Sequence, residues 1–464
     1  MDPNHLSKSF LAFDKWIHDH TVLLKSLRII FDFLGLFLAI SVYISSATVN
    51  LPLVLCGIFI VIFSEITFQL LNFFGFLAID ASKHAFLETH YLENRIYYEG
   101  NIPILEIKET DAYKIGYAHG LLMAPYIFKM LSRTRLCAHI FGILHFKQIK
   151  KSLPEIKKNI PSEYLKELEG LIQGMNDWDS SNSWVYSSPI TLDEVLMFQL
   201  VPDMAHLTLS NLPLGGCTVL VDRDPSDHSI CIGRHLDWPS FGTYGGHTLL
   251  IRRKKTVSIG VPGLIGDLTV INKDLFLCLN VCSPRLRVDR IETDKIPSTF
   301  LLRYLAENFS SVSDLKEAAL KNHLPISLVP FHANAADKES AITLHFRQKS
   351  NSELGTVVRT MKERRTVEPF ATFNNHHPTE TTETHLLFFA EERALAAKEQ
   401  FAKYAKSTPL ERLSHTLEEL PINNHFTIHH IIYDPATLDL YLSFDNSFAA
   451  SKPHQKLSLT HFFS

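Results

Sequence analysis

Two long apolar runs open the chain. Ile29 to Ala47 carries one charge, Asp32, and Leu51 to Leu71 carries one, Glu65. Each approaches the ~20 residues a helix needs to cross a bilayer. The link Thr48-Val49-Asn50 joins them as a helical hairpin. A cleaved signal peptide fits poorly, because the run starts late, is too long and lacks a small-residue cleavage site. Glu65 is costly in lipid and is expected to face the partner helix or sit shallow. Lys8, Lys15, Lys25 and Arg28 precede the first run and the link is uncharged, which predicts both ends on the cytoplasmic side.

Beyond residue 80 the periods shorten. Glu99 to Ile107 alternates as a strand, and a helix follows from Tyr113 to about Arg133, with Gly116 and Gly120 on one face for close packing. Its His119 reads as a packing residue. Pro161-Ser162 opens a second helix that ends near Gly174. Thr191, with Glu194 three residues on, caps a third. From Cys217 onward short strands dominate: 247–252, 256–260, 267–271, 275–280, 332–337, 341–346 and a closing hairpin over 426–434 and 438–444. Helices start at Pro297 and Ser311, and another runs from Glu391 to about Lys406. Arg252 to Lys255 falls in a tight turn and reads as a solvated hairpin tip.

Composition narrows the function classes. The 464 residues are 46% hydrophobic, enough for a substantial core, and a formal charge of −4 gives no reason to expect a nucleic-acid partner. Six scattered cysteines (56, 137, 217, 231, 278 and 282) form neither a metal-type pair nor a disulfide framework.

Candidate chemistry centres on Gly215-Gly216-Cys217-Thr218 and Gly233-Arg234-His235-Leu236-Asp237-Trp238. The intervening residues read as strand, polar turn, strand. Such a hairpin sets the start of one strand beside the end of the next, gathering the Cys217 thiol, the Arg234 guanidinium and the Asp237 carboxylate. A thiol needs a base or a positive field to become a nucleophilic thiolate. Cleavage of the Gly216–Cys217 bond would free an α-amine on Cys217 to act as that base.

These motifs resemble the junction of the N-terminal nucleophile hydrolases. The likeness is to the acyl-CoA:6-aminopenicillanate acyltransferase group in particular, with acid ceramidase, N-acylethanolamine acid amidase and choloylglycine hydrolase as relatives. Here His235 stands where that group usually has Asn. The resemblance recurs at Gly116-Tyr-Ala-His119-Gly120, Leu277-Cys-Leu-Asn280, Thr372-Phe-Asn-Asn375-His376-His377 and Glu391-Glu392-Arg393. It runs over about residues 99 to 445 and does not cover the hairpin. It implies an α+β fold, a four-layer αββα sandwich, here preceded by the transmembrane helical hairpin. Residues 1–80 would hold the two spans, 81–216 the α part and 217–464 the β part with the nucleophile.

It further implies self-cleavage at Gly216–Cys217, leaving an α/β heterodimer. Arg234, Asp237 and Arg393 would serve Cys217, and Asn375, or its neighbour Asn374, would stabilise the oxyanion. Asn280 and Trp238 would contact the substrate, a small-molecule acyl amide, with the lipid bilayer as the other partner. No cofactor and no metal are expected. Rival readings are an inactive, membrane-bound binding protein and a metal hydrolase using His376, His377, His429 and His430.

Overall fold

The computed structural model describes residues 13, 15–45, 51–79, 85–140, 144–182, 189–203, 216–281, 295–346, 356–362, 369–373 and 390–463. The apolar runs form α1 (Thr21–Ser45) and α2 (Leu51–Phe73), which pack against each other. Gly35 lets α1 approach α2, since a Cβ there would meet Gly57 O at 2.7 Å. The sequence predicts two membrane spans. Among the described residues one helix, Val54–Phe73 within α2, is long and apolar enough to cross a bilayer. The first helix begins at Thr21, ahead of the apolar run, and takes in Lys25, Arg28 and Asp32. Arg28 donates through Nε to Glu65 Oε1 at 2.6 Å, so Glu65 does face the partner helix.

The remaining chain is α+β, built on two sheets. The larger has ten strands in the order β1 (Thr89–Tyr91), β2 (Asn94–Glu99), β3 (Ile102–Glu106), β6 (Leu249–Arg252), β7 (Thr256–Gly260), β8 (Thr269–Asn272), β9 (Phe276–Val281), β10 (Phe331–Ala336), β11 (Ala341–Phe346) and β12 (Val357–Thr360). Its one parallel pair is β3 with β6. The smaller sheet is antiparallel, in the order β13 (Phe370–Thr372), β4 (Gly216–Arg223), β5 (Ile230–Asp237), β14 (Thr427–Asp434), β15 (Asp439–Phe444) and β16 (Gln455–Ser458). The span 99–107, read as one strand, is split: Gly100, at φ +61°, turns β2 into β3.

Alternation along the strands decides the layers. Val219, Val221, Ile230 and Ile232 of the smaller sheet meet Ile104, Leu250, Ile259 and Cys278 of the larger in a core without helices. On the larger sheet's other face lie α3 (Ala112–Ile140), α5 (Ser162–Asn182), α6 (Leu192–Gln199), α7 (Ser298–Asn308) and α8 (Val312–Leu320), with α4 (Leu144–Lys157) beside α6. On the smaller sheet's other face Leu220, Cys231 and Ile432 pack on α9 (Ala390–Lys403) and α10 (Pro409–Glu418). The order of layers is therefore helices, sheet, sheet, helices. The predicted Thr191 capping box is present on α6, and Ser311 caps α8.

Helices α3 and α5 touch through four glycines. A Cβ on Gly116, Gly120, Gly170 or Gly174 would fall within 3.0 Å of backbone atoms of the facing helix. Helix propensity favours alanine at such positions by ~1 kcal/mol, but overpacking a close crossing costs more. Gly170→Ala should therefore destabilise by about 1–3 kcal/mol net, read as a lowered urea midpoint at unchanged slope. A stabilised variant would contradict the crossing.

Candidate active site

The hairpin registers as the sequence suggests. Gly216 lies opposite Asp237, Cys217 opposite Leu236, Thr218 opposite His235 and Val219 opposite Arg234. Alternation then splits the cluster between two faces of the sheet. Arg234 enters the space between the sheets, where its Nη2 lies 3.9 Å from Cys217 Sγ and donates to Leu279 O (2.8 Å) and Leu268 O (3.1 Å). Asp237 turns instead toward α9. Its Oδ2 accepts from Arg393 Nη1 at 3.0 Å and its Oδ1 from Thr427 Oγ1 at 2.8 Å. The same Arg393 nitrogen donates to Cys217 O (3.0 Å) and Thr218 Oγ1 (2.7 Å). Cys217, Arg234, Asp237 and Arg393 are all buried.

Electrostatics follow from that burial. Desolvation pushes the Cys217 thiol up to about 11, aided by Asp237 and Cys278, while Arg234 and Arg393 pull the other way. In the continuous chain the sulfur is thus a neutral thiol at physiological pH. Burial lowers the Arg393 guanidinium from its ordinary value, and the Asp237 carboxylate raises it. Their pairing keeps a charge inside the protein that neither could hold alone.

The other predicted residues divide. Asn280, on β9 directly after Leu279, is buried. Its Nδ2 donates to Thr372 O at 3.1 Å, and its Oδ1 has no partner among the described residues. Trp238 is half-buried at the end of β5 and donates its backbone N–H to Phe426 O. Asn374, Asn375, His376 and His377 lie outside the described residues. Thr218 and Thr427 complete the Asp237–Arg393 cluster and were not foreseen. The signal for Thr218 was its place beside Cys217 on the opposite strand face; Thr427 had none short of the β5–β14 register.

One other reading changes. Arg253 is not a solvated tip residue: it is buried, donating to Ser258 Oγ and Ile265 O and paired with Asp267. Arg252 is half-buried and ion-paired with Glu106; only Lys254 and Lys255 are exposed. His429 and His430 face opposite sides of β14, toward Thr248 and His235 respectively. Among the described residues no three His, Cys, Asp or Glu side chains are placed to hold a metal ion.

The buried histidines set a pH dependence. Desolvation lowers His119 and His429 to about 3 and His235, His247 and His425 to about 4. His119 accepts from Gly263 N at 3.0 Å, in keeping with a packing role. Below ~6.5 the unfolded chain takes up protons that these rings refuse in the fold, so stability is full above that pH and falls as the pH drops toward 4. Asp203, raised to about 7 by burial, and Asp267, also raised by burial, act the opposite way, but the lowered histidines, which include His430 and His454, outnumber them. Each unopposed histidine contributes a slope of about 1.4 kcal/mol per pH unit. The melting temperature should therefore fall steeply between pH 6.5 and 4.5; a flat profile there would contradict neutral burial.

Comparison with known proteins gives little beyond shape. No protein-family model matches the chain, and no curated protein matches it. Similar solved structures include a mutant conjugated bile acid hydrolase from Clostridium perfringens, 13% identical, covering 53% of this chain and 94% of that one at TM-score 0.37. Penicillin V acylase from Agrobacterium tumefaciens is also 13% identical, covering 52% of this chain and 92% of that one at TM-score 0.36. At these values the likeness assigns neither substrate nor site residues.

Proposed function

We propose that this chain is a cysteine amidohydrolase or acyltransferase of the N-terminal nucleophile type, with an αββα sandwich and Cys217 as nucleophile. The single observation that carries the reading is the buried convergence on Cys217: Arg234 at its sulfur, and Arg393 joining its carbonyl to Asp237. An inert core cysteine needs no guanidinium at its sulfur, whereas an adjacent positive charge stabilises a thiolate.

The proposed sequence begins with self-cleavage. Cys217 Sγ attacks the Gly216 carbonyl carbon, and its proton passes to the departing Cys217 nitrogen. Water then hydrolyses the resulting thioester, leaving a Gly216 carboxylate and a free α-amine and thiol on Cys217. Cleavage thus supplies a base, the freed α-amine, on the same residue as the sulfur. In turnover the α-amine takes the thiol proton and the thiolate attacks an amide carbonyl. Asn375 donates to the oxyanion, a contribution of ~3–4 kcal/mol for such donors. The C–N bond breaks as the α-ammonium returns the proton to the leaving amine, and water or an acceptor amine resolves the acyl-enzyme. Because β1 to β3 precede the cleaved bond and share a sheet with β6 to β12, both fragments would stay together as a heterodimer.

The apolar hairpin supports an N-acyl, lipid-like amide as substrate, a multi-pass membrane location and a cytoplasmic catalytic part. A panel of N-acyl ethanolamines, ceramides, bile-salt conjugates and N-acyl amino acids tests this. Turnover of the long-chain amides is expected; turnover of soluble, non-lipid amides alone would remove the lipid assignment, and turnover of none would remove the amidase.

A further inference from the structure

The hairpin does not hang from the protein by a loose tether. Its foot is bound into two loops, the first of which leads directly from the candidate site. The first loop follows Asp237 and Trp238: Phe241 packs on Phe73 at 5.9 Å, and Gly242, at φ +65°, lies so close to Asn72 O that a Cβ would clash. The second follows β15. There the buried Asp445 accepts from Ile79 N at 2.7 Å and pairs with His18 Nε2 at 3.3 Å and Lys452 at 3.0 Å. His18 Nδ1 bonds Ser447 Oγ at 2.9 Å, and Ser240 Oγ donates to Asn446 Oδ1 at 2.6 Å, tying the two loops to each other. A buried ionic and hydrogen-bonded joint of this kind holds one geometry, because each partner left alone would be a costly buried polar group.

Just beyond the joint the surface changes character. Phe13, Trp16 and Phe74 are exposed at the foot, and Val22, Phe33, Phe37, Phe59 and Phe63 are exposed along the helices. Of these, Trp16 is the residue type that a membrane interface selects.

We propose that this foot is a rigid membrane seat. It fixes the Asp237–Trp238 end of the β4–β5 hairpin at the bilayer surface, so that the hydrocarbon part of the substrate enters from the lipid and not from bulk water. The occupant of the exposed helical faces is the bilayer itself. The substrate half of the inference rests on the amidase reading above; the seat does not.

The full-length protein in phosphatidylcholine nanodiscs tests both halves. Two substrates are compared, a long-chain N-acyl amide resident in the bilayer and a water-soluble N-butyryl anilide. Two variants are compared with the parent, the His18→Ala/Asp445→Asn pair and the surface change Trp16→Gln. The pair should lower kcat/KM on the bilayer amide about 10-fold or more while changing the soluble anilide less than about 3-fold, as expected for misplacement without damage to the chemistry. Trp16→Gln should shift the same ratio in the same direction, more weakly. Hydrogen exchange over residues 238–248 should quicken about 10-fold in the pair, reporting a released joint. An equal fall on both substrates, or unchanged exchange, overturns the seat. A parent protein that cleaves neither substrate overturns the amidase reading, and the exchange result alone then decides the seat.

Discussion

Cys217→Ala should leave one uncut chain and remove amide turnover. The loss expected for deleting a covalent nucleophile is on the order of 10⁴-fold or more. The effect should be one of chemistry and not of folding. Cys217 sits at the start of β4, fully enclosed, and alanine removes only a sulfur from a site whose guanidinium neighbours keep their carbonyl and carboxylate partners. Far-ultraviolet circular dichroism of the variant should therefore match that of the parent, and the variant should unfold cooperatively. If the variant is processed and active, Cys217 is a core residue. If both proteins are uncut and inactive yet bind the same acyl amide equally, the chain is a membrane-bound binding protein instead.

Arg393→Met should cost stability on a larger scale. Asp237 is wholly buried, and its carboxylate accepts from Arg393 and from the Thr427 hydroxyl. Removing the guanidinium strands a carboxylate in a low-dielectric interior, for which about 3–5 kcal/mol is typical. Made in the Cys217→Ala background, the variant is read without interference from chain cleavage. Neutralising the stranded group should recover much of the loss, so Arg393→Met with Asp237→Asn should be more stable than Arg393→Met alone. That non-additivity distinguishes a charge pair from lost packing of the Arg393 stem. A loss below about 1 kcal/mol, or strict additivity, would remove Arg393 from the site.

The parts of this site that could be read from sequence are those that depend on local period. The β4–β5 hairpin follows from a strand, a polar turn and a strand, and its register places Gly216 opposite Asp237. The Thr191 capping box and the glycine face of α3 are likewise short-range facts, whereas α5 runs on to Asn182, past Gly174, where the sequence placed its end. Long-range pairing was not legible. Nothing near Thr427 announces that its hydroxyl meets Asp237, because that contact depends on which strand lies next to β5. The Arg252–Lys255 turn misled for the same reason. A run of four basic residues reads as solvated until Glu106, Glu167 and Asp267 are brought to it from distant elements. Helix α10, which seals the outer face of the smaller sheet, was not anticipated, although Thr408 and Glu411 form a capping box at its start. In the hairpin two spans were expected, and among the described residues one helix, Val54–Phe73, is long and apolar enough to cross a bilayer.

The central claim is that residue 217 becomes a chain terminus whose own nitrogen activates its sulfur. Amino-terminal sequencing and intact mass of the protein purified from membranes test it most directly. The account predicts two fragments that co-purify, the second beginning at Cys217. An active protein of a single uncut chain would contradict it.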